Sequence, residues 1–328
     1  MTNPHPCERV SRRRALQVTF CSSAVLALNL RSVGAEAPVD RAGLHFLAVG
    51  DQGTTGRDQA AVARAMRAYR ESTGIRLQSL LLLGDNIYNR AAAGLDPASP
   101  HWRAVFEDVY PEGDFSCPCS AVLGNHDYSD NPGGEQAQLR YAKRPGTRWH
   151  MPAKWYRTDV GEGSETLTIL ALDSNEVPRH LSEPERAEQL EWLETQLSGP
   201  RGRFTLVMAH HPIYSNGKHG DTDHLVRDWA ALLEQHRVHL YLAGHDHDLQ
   251  HLEMAERFTS FVISGGGGAR TRALSRRDRP VPFARDVHGF THVHLVGDEL
   301  RISHHTVDGA VVHRFTKRSD GGVQMDAV

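Results

Sequence analysis

Cysteine is scarce in this chain. Four occur in 328 residues, and two of them, Cys7 and Cys21, fall within the first 37. The other two, Cys117 and Cys119, are one residue apart, a spacing that would strain a mutual disulfide. A disulfide framework is therefore not implied, and two thiols are too few for a zinc site. They read as a buried pair leading into a strand. Long apolar runs are lacking too. The best candidate, Ala15 to Leu30, is cut short of a membrane span by Asn29 and Arg31. Positive charge is also in short supply. Residues 1–37 carry +3 and the whole chain −3, so the remainder stands at about −6. That balance gives no reason to expect nucleic acid as a partner. No internal repeat of fixed period is present.

What is present begins with a leader. Ser11-Arg12-Arg13-Arg14-Ala15-Leu16 resembles a twin-arginine export signal, and Ala35-Glu36-Ala37 is a small-x-small cleavage site. Residues 1–37 are expected to be this signal, with one large domain over 38–317 and a flexible tail over 318–328. A disordered basic leader is the alternative. The expected location is periplasmic or secreted. The twin-arginine export machinery is then a partner, and no stable membrane anchor survives cleavage.

One pattern recurs along the domain: a short apolar run, a small residue, then Asp, Asn or His. Leu80 to Leu83 runs into Gly84-Asp85-Asn86, with Tyr88 close behind. His45 to Val49 runs into Gly50-Asp51. Ala121 to Leu123 runs into Gly124-Asn125-His126-Asp127. Phe204 to Met208 runs into Ala209-His210-His211-Pro212, and Leu240 to Ala243 into Gly244-His245-Asp246-His247. Apolar runs of this length read as buried strands. A sheet gathers its strand ends along one edge, where α/β folds keep their ligands. Asp58 to Arg70 has helical spacing and Gly74 ends it, giving a β-α-β unit with parallel strands. Ser182-Glu183-Pro184-Glu185 is a capping box opening a helix that Gly199-Pro200 ends. A further helix is expected from about His224 to His236.

The collected side chains are Asp51, Asp85, Tyr88, Asn125, His126, His210, His245 and His247. Imidazole with carboxylate suits iron, zinc and manganese. Seven or eight ligands are too many for one ion and suit two, with Asp85 on the central strand as the candidate bridge. Two ions can hold a hydroxide and clamp the oxygens of a phosphate, which favours in-line transfer of a phosphoryl group to water. Export of an already folded chain suits a protein that takes up metal first.

These blocks resemble the five-block signature of the calcineurin-like metallophosphoesterases, over residues 44–315. Tyr88, Asp246 with Leu249-Gln250, and Lys218-His219-Gly220 resemble the small, tartrate-resistant type of purple acid phosphatase. The resemblance implies an α/β (α+β) fold, a ββ sandwich flanked by helices, with the site at the strand ends. It implies ferric iron held by Asp51, Asp85, Tyr88 and His247. A divalent iron, zinc or manganese would be held by Asp85, Asn125, His210 and His245. His126 and His219 would contact the phosphate of a small phosphorylated substrate and protonate the departing alkoxide. There are departures: Gln52 and Ile87 stand where the family has aromatic residues, and Ala209-His210-His211-Pro212 replaces Gly-His-Tyr-Pro.

The implied function is an exported acid phosphatase acting on monoesters. Two others compete: a phosphodiesterase or nucleotide hydrolase with two divalent ions and Tyr88 unbound, and a non-catalytic metal-binding surface protein. Asp127 either orients His126 or serves a turn. Asp173 either supports the network or caps, and Asp246 holds the loop between two histidines. His224 and His251 are expected at the rim. The arginines from Arg270 to Arg285 form either a positive rim or a mobile solvated loop. The strands around His292-Val293-His294 and Leu300-Arg301-Ile302 are expected to be antiparallel with one wet face, their histidines facing solvent.

Overall fold

A computed structural model of the chain describes residues 1, 39–88, 95–163, 165–176, 179–276 and 278–328. Apart from Met1, the expected leader at 1–37 lies outside the described residues. So does Arg277 of the arginine-rich loop. No helix among the described residues is long and apolar enough to cross a membrane.

The first strands are β1 (Leu44–Val49), β2 (Leu77–Leu82), β3 (Cys119–Ala121) and β4 (Trp149–His150). They are followed by β5 (Tyr156–Glu162), β6 (Glu165–Ala171), β7 (Phe204–Met208) and β8 (Leu240–Ala243). Then come β9 (Leu249–Glu253), β10 (Ser260–Ser264) and β11 (Phe283–Arg285). The last are β12 (Gly289–Val296), β13 (Glu299–Thr306), β14 (Val311–Arg318) and β15 (Val323–Met325). The first sheet is ordered β15-β14-β13-β12-β1-β2-β3-β4, the second β11-β9-β10-β8-β7-β6-β5. Within them β1, β2 and β3 run parallel, as do β6, β7 and β8.

Helices flank the sheets: α1 (Arg57–Thr73), α2 (Asn125–Ser129), α3 (Gly134–Tyr141), α4 (Glu183–Ser198), α5 (Asp223–Asp228) and α6 (Ala230–Gln235). α1 turns Val62, Ala65 and Met66 inward and ends at Gly74, whose left-handed φ of 66° lets its N–H reach the Arg70 carbonyl. α4 opens on the expected capping box: Ser182 accepts from the Glu185 N–H, and the Glu185 carboxylate accepts from Ser182 N at 2.8 Å. Its Leu193 and Leu197 join Leu170, Leu172, Trp229 and Leu233 in the core of the second sheet. Each leucine buried this completely contributes about 2 kcal/mol.

Four expectations need correcting. The helix from His224 to His236 is two short helices divided at Trp229, whose φ of −110° departs from the ideal helical value while its indole is buried in the core. The tail 318–328 is not loose throughout: β15 pairs with the otherwise open edge of β14, Phe315 opposite Met325. The histidines of the last strands do not face solvent. His292, His294, His304 and His305 are all buried: α1, β6 and β10 pack against β12, and His304 on β13 meets the Gln250 carbonyl of β9. Tyr69 of α1 and His45 of β1 hydrogen-bond the two nitrogens of His292 at 3.0 and 3.1 Å. His251, expected at the rim, is buried in β9 between His313 and Glu253.

Candidate metal centre

The strand register sets where the side chains meet. Val49 lies opposite Leu82, and Leu82 opposite Ala121, so β1, β2 and β3 end level. Met208 lies opposite Leu242 in the second sheet. The site therefore takes three strand ends from one sheet and two from the other. Ser264 stitches the sheets together there: its carbonyl accepts from Gly50 N at 2.8 Å and its hydroxyl donates to the Ala48 carbonyl at 3.0 Å.

The backbone turns sharply as it leaves these strands. Asp51, Asp85 and His245 hold left-handed φ values of 59°, 52° and 69°. Each such residue costs on the order of 1 kcal/mol or more. Glycines beside them allow close approach. A Cβ on Gly84 would lie 2.6 Å from His210 Nδ1, and one on Gly124 would lie 2.2 Å from the backbone nitrogen of Asp85. This is the physical content of the small residue before each candidate ligand.

Two groups of donor atoms result. In the first, the Tyr88 hydroxyl lies 3.1 Å from Asp51 Oδ1 and 3.3 Å from His247 Nε2, and His247 Nε2 lies 3.5 Å from Asp51 Oδ1. In the second, His210 Nε2 lies 3.4 Å from Asp85 Oδ1, 3.2 Å from Asn125 Oδ1 and 3.2 Å from His245 Nδ1. One atom each from Asp51, Asp85 and His210 falls within 4.8 Å of the others, so Asp85 lies between the groups. His211 also comes near His210 and His245, but its Nδ1 is hydrogen-bonded to Ser174 at 3.0 Å. It is His210 whose Nε2 faces Asp85 and Asn125.

Three observations fit this cluster to cations. Asp85 Oδ2 is buried with no hydrogen-bond partner among the described residues. The Nδ1–H of His210 donates to the Leu83 carbonyl at 2.9 Å and that of His247 to the Arg270 carbonyl at 2.8 Å, leaving each Nε2 lone pair turned to the carboxylates. Burial works against charging His210 and His247, yet the neighbouring carboxylates prevail and raise both pKa values. Burial likewise works to raise Asp51, but His247 and His210 hold it below the usual carboxylate range. The carboxylates thus favour positive charge among them. The Tyr88 phenol is raised well above its ordinary value by burial and then by Asp51 and Asp85.

A second layer holds these ends in place. Buried Asp127 does not touch the His126 ring. It accepts from the backbone N–H groups of Gly124, Asn86 and Ile87 at 2.7, 3.2 and 3.0 Å, and from Gln138 at 2.8 Å. It thereby clamps the β2 end to the β3 end. Burial and the Asp85 charge push its carboxyl up to about 7. The partner of His126 is Asp130, 3.0 Å from Nδ1. Asp246 accepts from Ser215 and from His219 N at 2.9 Å, which fixes the loop carrying His219. Asp173 accepts from Tyr128 and Asn175, so it belongs to the network as well. A cleft of about 600 Å³ opens beside the cluster, lined in part by Asn125, His180, His211, His219, His224 and His245.

Sequence reading did not find Asp130 or Gln138. Asp130 sits one helical turn after His126, a spacing that could have signalled it. Gln138 carried no local signal. The arginine-rich loop is not merely a solvated tether. Arg276 and Arg279 both pair with Asp221, and the Ser275 and Arg276 N–H groups donate to the Asn216 carbonyl.

Residues 44–249 match the family described as calcineurin-like phosphoesterase. The chain belongs to this family. It is 31% identical over 296 residues to tartrate-resistant acid phosphatase type 5 of Rattus norvegicus, covering 81% of this chain and 88% of the relative. It is 30% identical over 298 residues to purple acid phosphatase 7 of Arabidopsis thaliana, covering 84% and 87%. Among solved structures, GAP50, the anchor in the inner membrane complex of Plasmodium, matches with a TM-score of 0.73 at 22% identity. The match covers 87% of this chain and 89% of that one, and is a likeness of fold.

Proposed function

We propose that this phosphoester hydrolase is an exported acid phosphatase that cleaves phosphate monoesters. The observation that carries the reading is the pair of donor groups meeting at Asp85, with its buried Oδ2 unpartnered, beside His126 and an open cleft. The names of the relatives support the acid phosphatase class, and the twin-arginine-like leader supports export to the periplasm or beyond.

In this reading Asp51, Asp85, Tyr88 and His247 would hold ferric iron. Asp85, Asn125, His210 and His245 would hold divalent iron, zinc or manganese. Two such ions supply a strongly acidified water and screen the charge of the phosphate. The chain's own side chains do the rest. His126 has Nδ1 tied to Asp130, so Nε2 is its free atom for passing a proton to the leaving alkoxide. His219 stands across the cleft, its ring 4.2 Å from that of His245, where it would contact the phosphate. His126→Ala should reduce kcat by about 10²–10⁴ while leaving metal content unchanged. Unaltered turnover would remove His126 from the mechanism.

A phosphodiesterase with two divalent ions is the competing reading. It draws on the Tyr88 hydroxyl, which donates to Asp51 and is held protonated by burial. The visible spectrum of the purified protein separates the two. A ferric tyrosinate gives a broad charge-transfer band that Tyr88→Phe abolishes. A colourless protein that prefers a diester over a monoester would sink the monoesterase reading.

A further inference from the structure

The loop from Arg270 to Arg279 is anchored at both ends. At one end the Ala269 N–H donates to the Asp51 carbonyl at 2.9 Å, and the Arg270 carbonyl accepts from His247 Nδ1. At the other, Asn216 donates to the Arg279 carbonyl at 2.9 Å, and Arg276 and Arg279 grip Asp221. Between the anchors sits Arg272. Its guanidinium donates to Nε2 of His219, and among the described residues it makes no ion pair with a carboxylate.

That contact is unusual in its chemistry. Arginine is always charged and donates only. Here a cation is directed onto a neutral imidazole lone pair at the mouth of an anion-cleaving site, while its loop neighbours Arg276 and Arg279 share Asp221. The partner that matches a guanidinium fork in planarity and charge is a phosphate or carboxylate. We infer that Arg272 is a phosphate-binding residue: on substrate entry its guanidinium exchanges His219 for a non-bridging phosphate oxygen, which frees His219 Nε2 to take part in proton transfer. Resting on the monoesterase reading, this also makes Arg272 a determinant of specificity. A monoester dianion presents a third anionic oxygen to the fork, where a diester presents an ester group.

The test uses the metal-loaded enzyme and three probes: inorganic phosphate as inhibitor, p-nitrophenyl phosphate and bis(p-nitrophenyl) phosphate. Arg272→Gln should weaken phosphate inhibition and lower monoester kcat/KM by about 10–100-fold. Metal content should stay the same and the diester should lose far less. Arg272→Lys, which keeps the charge without the fork, should fall between. Arg285→Gln, an equal change of charge at the exposed last residue of β11, should leave all three readouts alone. Phosphate inhibition within about twofold of wild type would overturn the inference, as would equal losses on monoester and diester. If the wild type itself prefers diesters, the monoesterase reading fails. The phosphate inhibition series still decides whether Arg272 binds the anion.

Discussion

Two populations of buried histidine share this molecule, and they differ in how their nitrogens are used. At the strand ends, His210 and His247 each spend Nδ1 on a backbone carbonyl and turn Nε2 to carboxylates. In the last strands His292 and His304 have both nitrogens consumed within the packing. His304 bonds Thr291 at 2.9 Å and the Gln250 carbonyl at 3.1 Å, and His292 bonds Tyr69 and His45. Buried rings there and in β9 stack on neighbours as aromatic core residues do: His305 lies 4.9 Å from Phe290, and His251 of β9 lies 3.6 Å from Phe315. Burial alone therefore does not mark a functional histidine. A nitrogen aimed at the fully buried strand-end carboxylates does, whereas that of His251 meets the partly exposed Glu253.

The largest effect that could break this distinction comes from paired truncations. His210→Ala should lose metal and reduce turnover by about 10³ or more, with the fold retained, as read by metal analysis and circular dichroism. His304→Ala should do the reverse. It opens a cavity and orphans two partners, costing about 2–4 kcal/mol in a urea melt, with activity per folded molecule unchanged. If His304→Ala removed metal, the two populations would not be separate. A smaller effect is expected behind the site. Asp127→Asn cannot satisfy all the N–H groups that the carboxylate now accepts. Turnover should fall about 10–100-fold through misplaced ligands, and metal affinity should fall with it.

The smallest effect sharpens the comparison on the structural side. Burial, followed by Arg314, pushes the His305 pKa down to about 3. The unfolded chain takes up this proton below about pH 6.5, whereas the folded chain does not until far lower. Stability is thus fully present above that pH and lost progressively as pH falls toward 3. Between pH 7 and pH 5 the group accounts for a loss of about 2 kcal/mol. His305→Leu should lose that much less over the same interval in urea melts. Equal losses in variant and wild type would show that the ring titrates freely in the folded state.

The strand-end pattern made the centre legible because each block carries its own local signal: an apolar run, a small residue, a ligand. The same holds for the Ser182 capping box and the Gly74 stop. The buried faces of β12 and β13 were not legible. Alternation tells two faces apart but not whether a helix lies over the second, and here Tyr69 of α1 does. The division at Trp229 carried no local signal either, since the helical pattern of the sequence runs through it and the backbone departs from the ideal angles at that one residue. Arg272 could be counted in the sequence but not aimed, because its direction depends on anchors at Asn216 and Asp221, more than fifty residues before it.

The left-handed turns at Asp51, Asp85 and His245 bear on how this centre can drift. Substitution there is filtered twice, by what the backbone tolerates and by what a cation requires. Glycine, asparagine and aspartate sit most easily at such angles. Relaxed selection would therefore replace ligands with residues that relieve the turn and leave the sheets standing. Loss of chemistry at these positions need not cost the protein its shape, and a silent descendant of this enzyme could persist as a well-folded scaffold.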